Sequence, residues 1–121
     1  MSDFFSALAI ALFIIAIAWS SDSVVRGAQK TTPDMAMGIR LPALMRSPSA
    51  WRIGHAASEP VFRWSAVAAS IPALLSVLAW ADESLYLAFL LAASAVLVVG
   101  PTLACIVAHR AASTVEDDPD G

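Results

Sequence analysis

Arg40, Trp51 and His55 are the residues of this chain whose types and spacing best suit chemistry. A guanidinium makes paired hydrogen bonds with a lipid phosphate or a partner carboxylate, and an imidazole can sense pH or bind a metal. Trp51 and His55 lie four residues apart and so share one face of a helix. A cation–π interaction between an arginine and an indole is favourable by about 0.5–2 kcal/mol. The spacing therefore predicts one small constellation of these three side chains.

The residues around this constellation predict the backbone that positions it. Gly38 reaches backbone angles closed to other residues, and Pro42 forces the residue before it into an extended conformation. Ser47 is a good N-cap with proline at the next position, so a short amphipathic helix is expected over residues 48–57. Pro60 discourages its continuation. We expect this helix to lie along the membrane interface, held by Trp51 and by arginine stems.

Structural roles for the same residues remain open alternatives. Arg40 could cap carbonyls or pair with Asp34 or Glu59, Trp51 could be a packing anchor, and His55 could hydrogen-bond a neighbouring backbone group. Cys105 and His109 lie four residues apart, but they lack the ligand number and spacing of a zinc site. No nucleophile elbow, phosphate loop or carboxylate pair is present. We therefore predict no metal, no cofactor and no enzyme.

The remaining sequence predicts an all-α membrane protein. Hydrophobic residues make up 59% and charged residues 14% of the 121 positions, against about 45–50% and about 25% in soluble domains. Three charge-free runs of 18 or more residues each approach the length of a membrane span. They predict transmembrane helices near residues 4–25, 59–81 and 84–109, within a membrane domain over residues 1–112. The acidic segment over residues 113–121 is expected to form a disordered tail.

The basic residues predict the orientation. Six of the seven lie between the first and second runs, at positions 26, 30, 40, 46, 52 and 63, and the last is Arg110. The turn between the second and third runs carries only Asp82 and Glu83. Because cytoplasmic loops are enriched in Lys and Arg, we expect a multi-pass protein of the bacterial plasma membrane with its N-terminus outside and its C-terminus in the cytoplasm. The basic residues also favour contact with anionic lipid rather than nucleic acid.

A motif in the long loop resembles the signature of the SdpI family, small bacterial membrane proteins related to a toxin-immunity protein. Its residues are Gly38-Ile39-Arg40, Ser47, Ala50-Trp51 and Gly54-His55, and the resemblance covers residues 34–110. It implies a membrane fold with the motif on a loop before two closing helices. It also implies a motif or partner-binding role for Gly38, Ile39, Arg40, Ser47, Trp51 and His55. Asp34 and Ala56 depart from the residues that are frequent in that family.

Two functions follow as hypotheses. The first is a protein that acts by protein–protein interaction, as an accessory or regulatory subunit of a larger membrane complex or as an immunity-like or signalling-like factor. The alternative is a membrane enzyme or lipid-handling protein that uses Arg40 and His55 at the cytoplasmic interface.

Overall fold

Three long apolar helices make up most of the protein. The computed structural model describes residues 3–30 and 38–115, and within these ranges it contains α1 (Phe4–Ala28), α2 (Pro42–Met45), α3 (Pro48–Leu78) and α4 (Glu83–Ser113). The most apolar 18-residue windows of α1, α3 and α4 have mean hydropathies of 2.2, 1.6 and 2.4, and each helix is long enough to cross a membrane. The predicted all-α architecture with three spanning helices is confirmed.

Each long helix begins at a residue whose side chain satisfies a free backbone amide. The Asp3 carboxylate accepts from the Ser6 amide at 2.7 Å, and the Asp82 carboxylate accepts from the Leu85 amide at 3.2 Å. At the start of α3 the Ser47 hydroxyl accepts from the Ala50 amide at 3.1 Å. The first amides of a helix have no partner within it, so aspartate and serine are favoured there. The predicted Ser47 cap is confirmed.

Small side chains form the contacts between the helices. α3 lies between α1 and α4 and packs along both. Its contact surfaces are built from alanines, which let helix backbones approach closely in a membrane. The fully buried members are Ala7 and Ala11 of α1, Ala50, Ala69 and Ala73 of α3, and Ala93, Ala104, Ala108 and Ala112 of α4.

The large apolar side chains point outward, which is the reverse of a soluble domain. Phe5 is 78% exposed, Trp64 is 70% exposed and Leu78 is 82% exposed. Soluble proteins rarely leave extended apolar surface in contact with water, whereas hydrocarbon solvates such side chains without cost. A small-residue interior and a large-residue exterior therefore match a bundle surrounded by lipid.

The prediction of a separate helix over residues 48–57 was wrong, because α3 runs unbroken from Pro48 to Leu78. Pro60 is exposed and removes a single backbone bond, and in the turn before it the Ser58 hydroxyl donates to the His55 carbonyl at 3.1 Å. The buried face passes through this turn without interruption, from Trp51 to Phe62. Packing along this face outweighs the local preference of one proline. A separate short helix is present earlier, as the single turn of α2.

Two predictions concern residues outside the described ranges. The pairing of Arg40 with Asp34 is one of them. The other is the disordered tail, of which residues 116–121 lie outside; Ser113 itself is the last residue of α4.

Candidate functional site

Trp51 ties the start of α3 to the end of α1. Its side chain is fully buried, and its indole Nε1 donates to the Ala28 carbonyl at 2.8 Å. Ala28 is the last residue of α1, where carbonyls lack partners within the helix. Trp51 therefore acts as a packing residue that also satisfies a helix end, and it does not lie at the outer surface as an interfacial anchor.

His55 holds the motif loop, which we define as residues 38–41. The ring is fully buried, with Nδ1 at 2.7 Å from the Trp51 carbonyl. A carbonyl can only accept, so Nδ1 carries the proton and Nε2 is left as an acceptor. Nε2 receives the backbone amide of Ile39 at 2.9 Å. Both nitrogens are thus used, and the contacts assign the neutral imidazole.

The rings of Trp51 and His55 are in tilted contact at the centre of this arrangement. Their ring centroids are 4.3 Å apart and their planes are inclined by 52°. The predicted sharing of one helix face is confirmed, but the face points into the protein. Their partners, Ala28 and Ile39, could not be predicted from the sequence, because neither contact is set by local spacing.

Gly38 is required by the close approach of the loop to these two rings. A Cβ at this position would lie 2.6 Å from His55 Nε2, 3.1 Å from Trp51 Cζ2 and 3.1 Å from the Ala28 Cβ. His55 is fixed by two hydrogen bonds and cannot move away cheaply. The loop can therefore reach the imidazole only where residue 38 has no side chain.

Gly54 has a comparable role where α2 and α4 approach α3. A Cβ there would lie 2.6 Å from Leu44 of α2 and 3.2 Å from the Ala108 carbonyl oxygen of α4. Leu44 is fully buried. The two motif glycines thus let the motif loop and α2 pack closely against α3 and its neighbours.

The motif loop divides its side chains between the interior and the surface. Ile39 packs against the cluster of Val25, Phe62 and Ala104, which joins the three long helices. Leu41 packs against the neighbouring cluster that contains Leu44 and Trp51. Arg40, between them, is exposed. The structure therefore brings Gly38, Ile39, Trp51 and His55 together and places the Arg40 side chain on the outside.

Arg46 fastens α2 to the end of α4, a role that sequence reasoning missed. Its Nη2 donates to the Ala112 carbonyl at 2.8 Å and also to the Val115 carbonyl. Arginines do cap helix C-termini, but the sequence does not show which helix end lies within reach. Ser47, the next motif residue, is buried and caps α3.

One hydrogen bond joins the residue after α1 to α3, and two ion pairs lie within these helices. Glu59 accepts from Gln29 Nε2 at 2.7 Å with one oxygen, and it pairs with Arg63 of the same helix through the other. Asp22, which is 1% exposed, lies 3.1 Å from Arg26 Nε. The burial of Asp22 was not predicted from the sequence, and it follows from the position of this residue on the inner face of α1.

The described residues contain no group of three His, Cys, Asp or Glu side chains that could hold a metal ion. Cys105 is half-buried and His109 is exposed on α4, whereas His55 is enclosed and uses both ring nitrogens. Cys105, His109 and His55, the candidate metal ligands in the sequence, thus have different surroundings.

The fold defines a small, helical, multi-pass membrane protein with a motif loop clamped at one end of its bundle. The chain belongs to the SdpI/YfhL protein family, whose sequence model matches residues 30–113. This confirms the resemblance drawn from the motif. Comparison with curated proteins finds no match, and comparison with solved structures finds none either.

Proposed function

We propose that this protein binds another protein through the exposed side of its motif loop, as an accessory or regulatory subunit of a larger complex in the bacterial plasma membrane. An immunity-like or signalling-like role would use the same binding surface. The observation that carries the proposal is that some motif residues are buried and position the loop, whereas another is exposed. Trp51 and His55 are buried and hold the loop, while Arg40 is exposed.

The rigidity of the loop supports a binding role. The Ile39 amide is bonded to His55, and the Ile39 side chain packs between the helices. A surface that is already ordered loses less conformational entropy when a partner binds. Arginine is also enriched among the residues that dominate protein interfaces. The contacts of Ile39 thus hold the backbone beside Arg40 in an ordered loop.

The distribution of charge supports a cytoplasmic position for this surface. The end of the bundle that carries the motif loop also carries Arg26, Lys30, Arg46, Arg52 and Arg110, whereas the α3–α4 turn carries Asp82 and Glu83. By the positive-inside rule the motif loop faces the cytoplasm and the N-terminus lies outside. The partner would then be a membrane protein with a cytoplasmic acidic group, or a soluble protein at that face.

The alternative function, an enzyme or a lipid-handling protein, has less support. A general acid or base must reach its substrate within hydrogen-bond distance. His55 is fully buried and its nitrogens are engaged by Trp51 and Ile39. Its contacts favour a positioning role over proton transfer.

Affinity purification in mild detergent tests the proposal. The wild-type protein, Arg40→Ala and the matched control Arg52→Ala are compared; Arg52 is exposed on α3. We expect a stoichiometric protein to accompany the wild type and Arg52→Ala but to be lost from Arg40→Ala, with equal melting temperatures for all three. Equal retention by both variants would contradict the proposal, and so would lipid turnover without a protein partner.

A further inference from the structure

A groove between the motif loop and α4 has the shape and polarity of an amphiphile site. We call it the α4 groove. Its volume is about 500 Å³, within the range of about 300–1,000 Å³ typical of small-molecule sites. One wall is Leu41 of the motif loop, and the other follows α4 through Pro101, Thr102, Ile106, His109 and Arg110.

The polarity of the α4 groove changes along its length. Its first part is apolar, because the Thr102 hydroxyl donates to the Val98 carbonyl at 2.7 Å and so is not free for a ligand. Its last part carries the imidazole of His109 and the guanidinium of Arg110, both on exposed residues. Pro101 and Arg110 are nine helical steps apart, which corresponds to about 13 Å along the helix. Arg110 lies one turn before the end of α4, where a membrane-spanning helix meets the headgroup layer.

Three other grooves help to identify the occupant by contrast. Among the residues that the structure describes, the groove along Phe13, Ile17 and Phe62 and the groove along Trp64, Val99 and Leu103 have no charged lining residue. The polar groove between α1 and α3 carries Arg26, Lys30 and Glu59, and so both signs of charge. The α4 groove joins an apolar channel to a cation, and its described lining residues include no carboxylate.

We propose that the α4 groove binds one anionic phospholipid, with an acyl chain along the apolar part and the phosphate on Arg110 and His109. A guanidinium binds a phosphate through paired hydrogen bonds. The surrounding helices are apolar enough to span a membrane, so the ligand most available to the groove is a lipid. The site lies outside the Trp51–His55 pair and does not depend on the proposed protein partner.

Native mass spectrometry of the purified full-length protein tests this site. The delipidated protein is titrated with phosphatidylglycerol and with phosphatidylcholine of the same acyl chains. We expect one phosphatidylglycerol to bind preferentially and Arg110→Gln to weaken it about five-fold, since a surface cation contributes on the order of a factor of five toward anionic lipid. Arg52→Gln, which removes an exposed charge outside the groove, should leave the affinity unchanged.

A second variant tests the acyl-chain part of the groove. Ile106 is 44% exposed, so Ile106→Trp fills the groove without touching the charges and should abolish the preferred binding. Equal binding of the two lipids, equal effects of Arg110→Gln and Arg52→Gln, or full binding by Ile106→Trp would each overturn the proposal. Glycerol phosphate, the soluble headgroup, should not bind at the lipid's concentration; if it does, the site is a phosphate site and the lipid assignment fails.

Discussion

The two nitrogens of His55 contact residues that lie 4 and 16 positions away in the chain. One nitrogen faces the Trp51 carbonyl and the other accepts the Ile39 amide in a part-buried hydrogen bond. An amide left without its acceptor within a protein costs about 1–3 kcal/mol. The imidazole thus links α3 to the motif loop. We expect its removal to lower the free energy of unfolding, and any loss of partner binding to follow from that change.

His55→Ala should lower the free energy of unfolding by about 1–3 kcal/mol, because the Ile39 amide loses its acceptor inside the protein. Thermal melting in detergent measures the effect. Arg52→Ala, an exposed change on the same helix, should stay within about 0.5 kcal/mol of wild type. Equal melting of the two variants would show that His55 does not hold the loop.

Gly38→Ala should destabilise the protein through the clash with His55 Nε2, which a Cβ would approach to 2.6 Å. In the double variant with His55→Ala the clashing atom is gone. The double variant should therefore be destabilised by less than the sum of the two single-variant effects. Gly27→Ala is the matched control, because a Cβ there meets nothing within 4 Å. A strictly additive double variant would contradict the contact.

Local spacing predicted some of the contacts of the motif residues. The i,i+4 spacing correctly predicted that Trp51 and His55 share a face, and the Ser-Pro pair predicted the Ser47 cap. The burial of that face depends on Ala28 and Ile39, which come from other segments. Local periodicity does not encode such long-range contacts, so it left open whether Trp51 is an interfacial anchor or a packing residue, and the structure shows the packing residue.

The helices show that tertiary packing outweighs the local preference of proline to end a helix. The lengths and apolar character of the three runs predicted α1, α3 and α4 with ends displaced by several residues. Pro60 predicted a break that does not occur. The buried face of α3 from Trp51 to Phe62 packs on both neighbouring helices, and this packing is a property of the whole bundle that the proline alone cannot report.

Pro60→Ala should raise the melting temperature, because alanine restores the missing amide within a continuous helix. The intrinsic preference of a helix interior for alanine over proline is up to about 3 kcal/mol. Pro60 is exposed, so the change removes little packing. If residues 48–57 formed a separate helix, removing the proline would leave the melting temperature unchanged or lower it. Circular dichroism melting in detergent distinguishes these outcomes.

The described part of the molecule is an alanine-packed bundle with large apolar residues outside, and its basic residues lie toward one end. We predict that this asymmetry sets the topology, with residue 2 outside and residue 113 in the cytoplasm. In a Cys105→Ser background, Ser2→Cys should react in intact cells with a thiol reagent that does not cross membranes, and Ser113→Cys should react only after permeabilisation. The reverse pattern would place the motif loop on the outer face.

A buried Trp51–His55 pair fixes the motif loop, and we propose that the Arg40 side of this loop contacts a partner protein. Site-specific photo-crosslinking in living cells tests this contact, with a photoreactive amino acid at position 42, which leaves Arg40 in place, and, as a control, at position 52. Both positions are exposed. We expect one discrete crosslinked protein from position 42, absent from position 52 and lost when Arg40→Ala or His55→Ala is added. No protein crosslink from position 42, or the same products from both positions, would show that this side of the loop does not bind a partner.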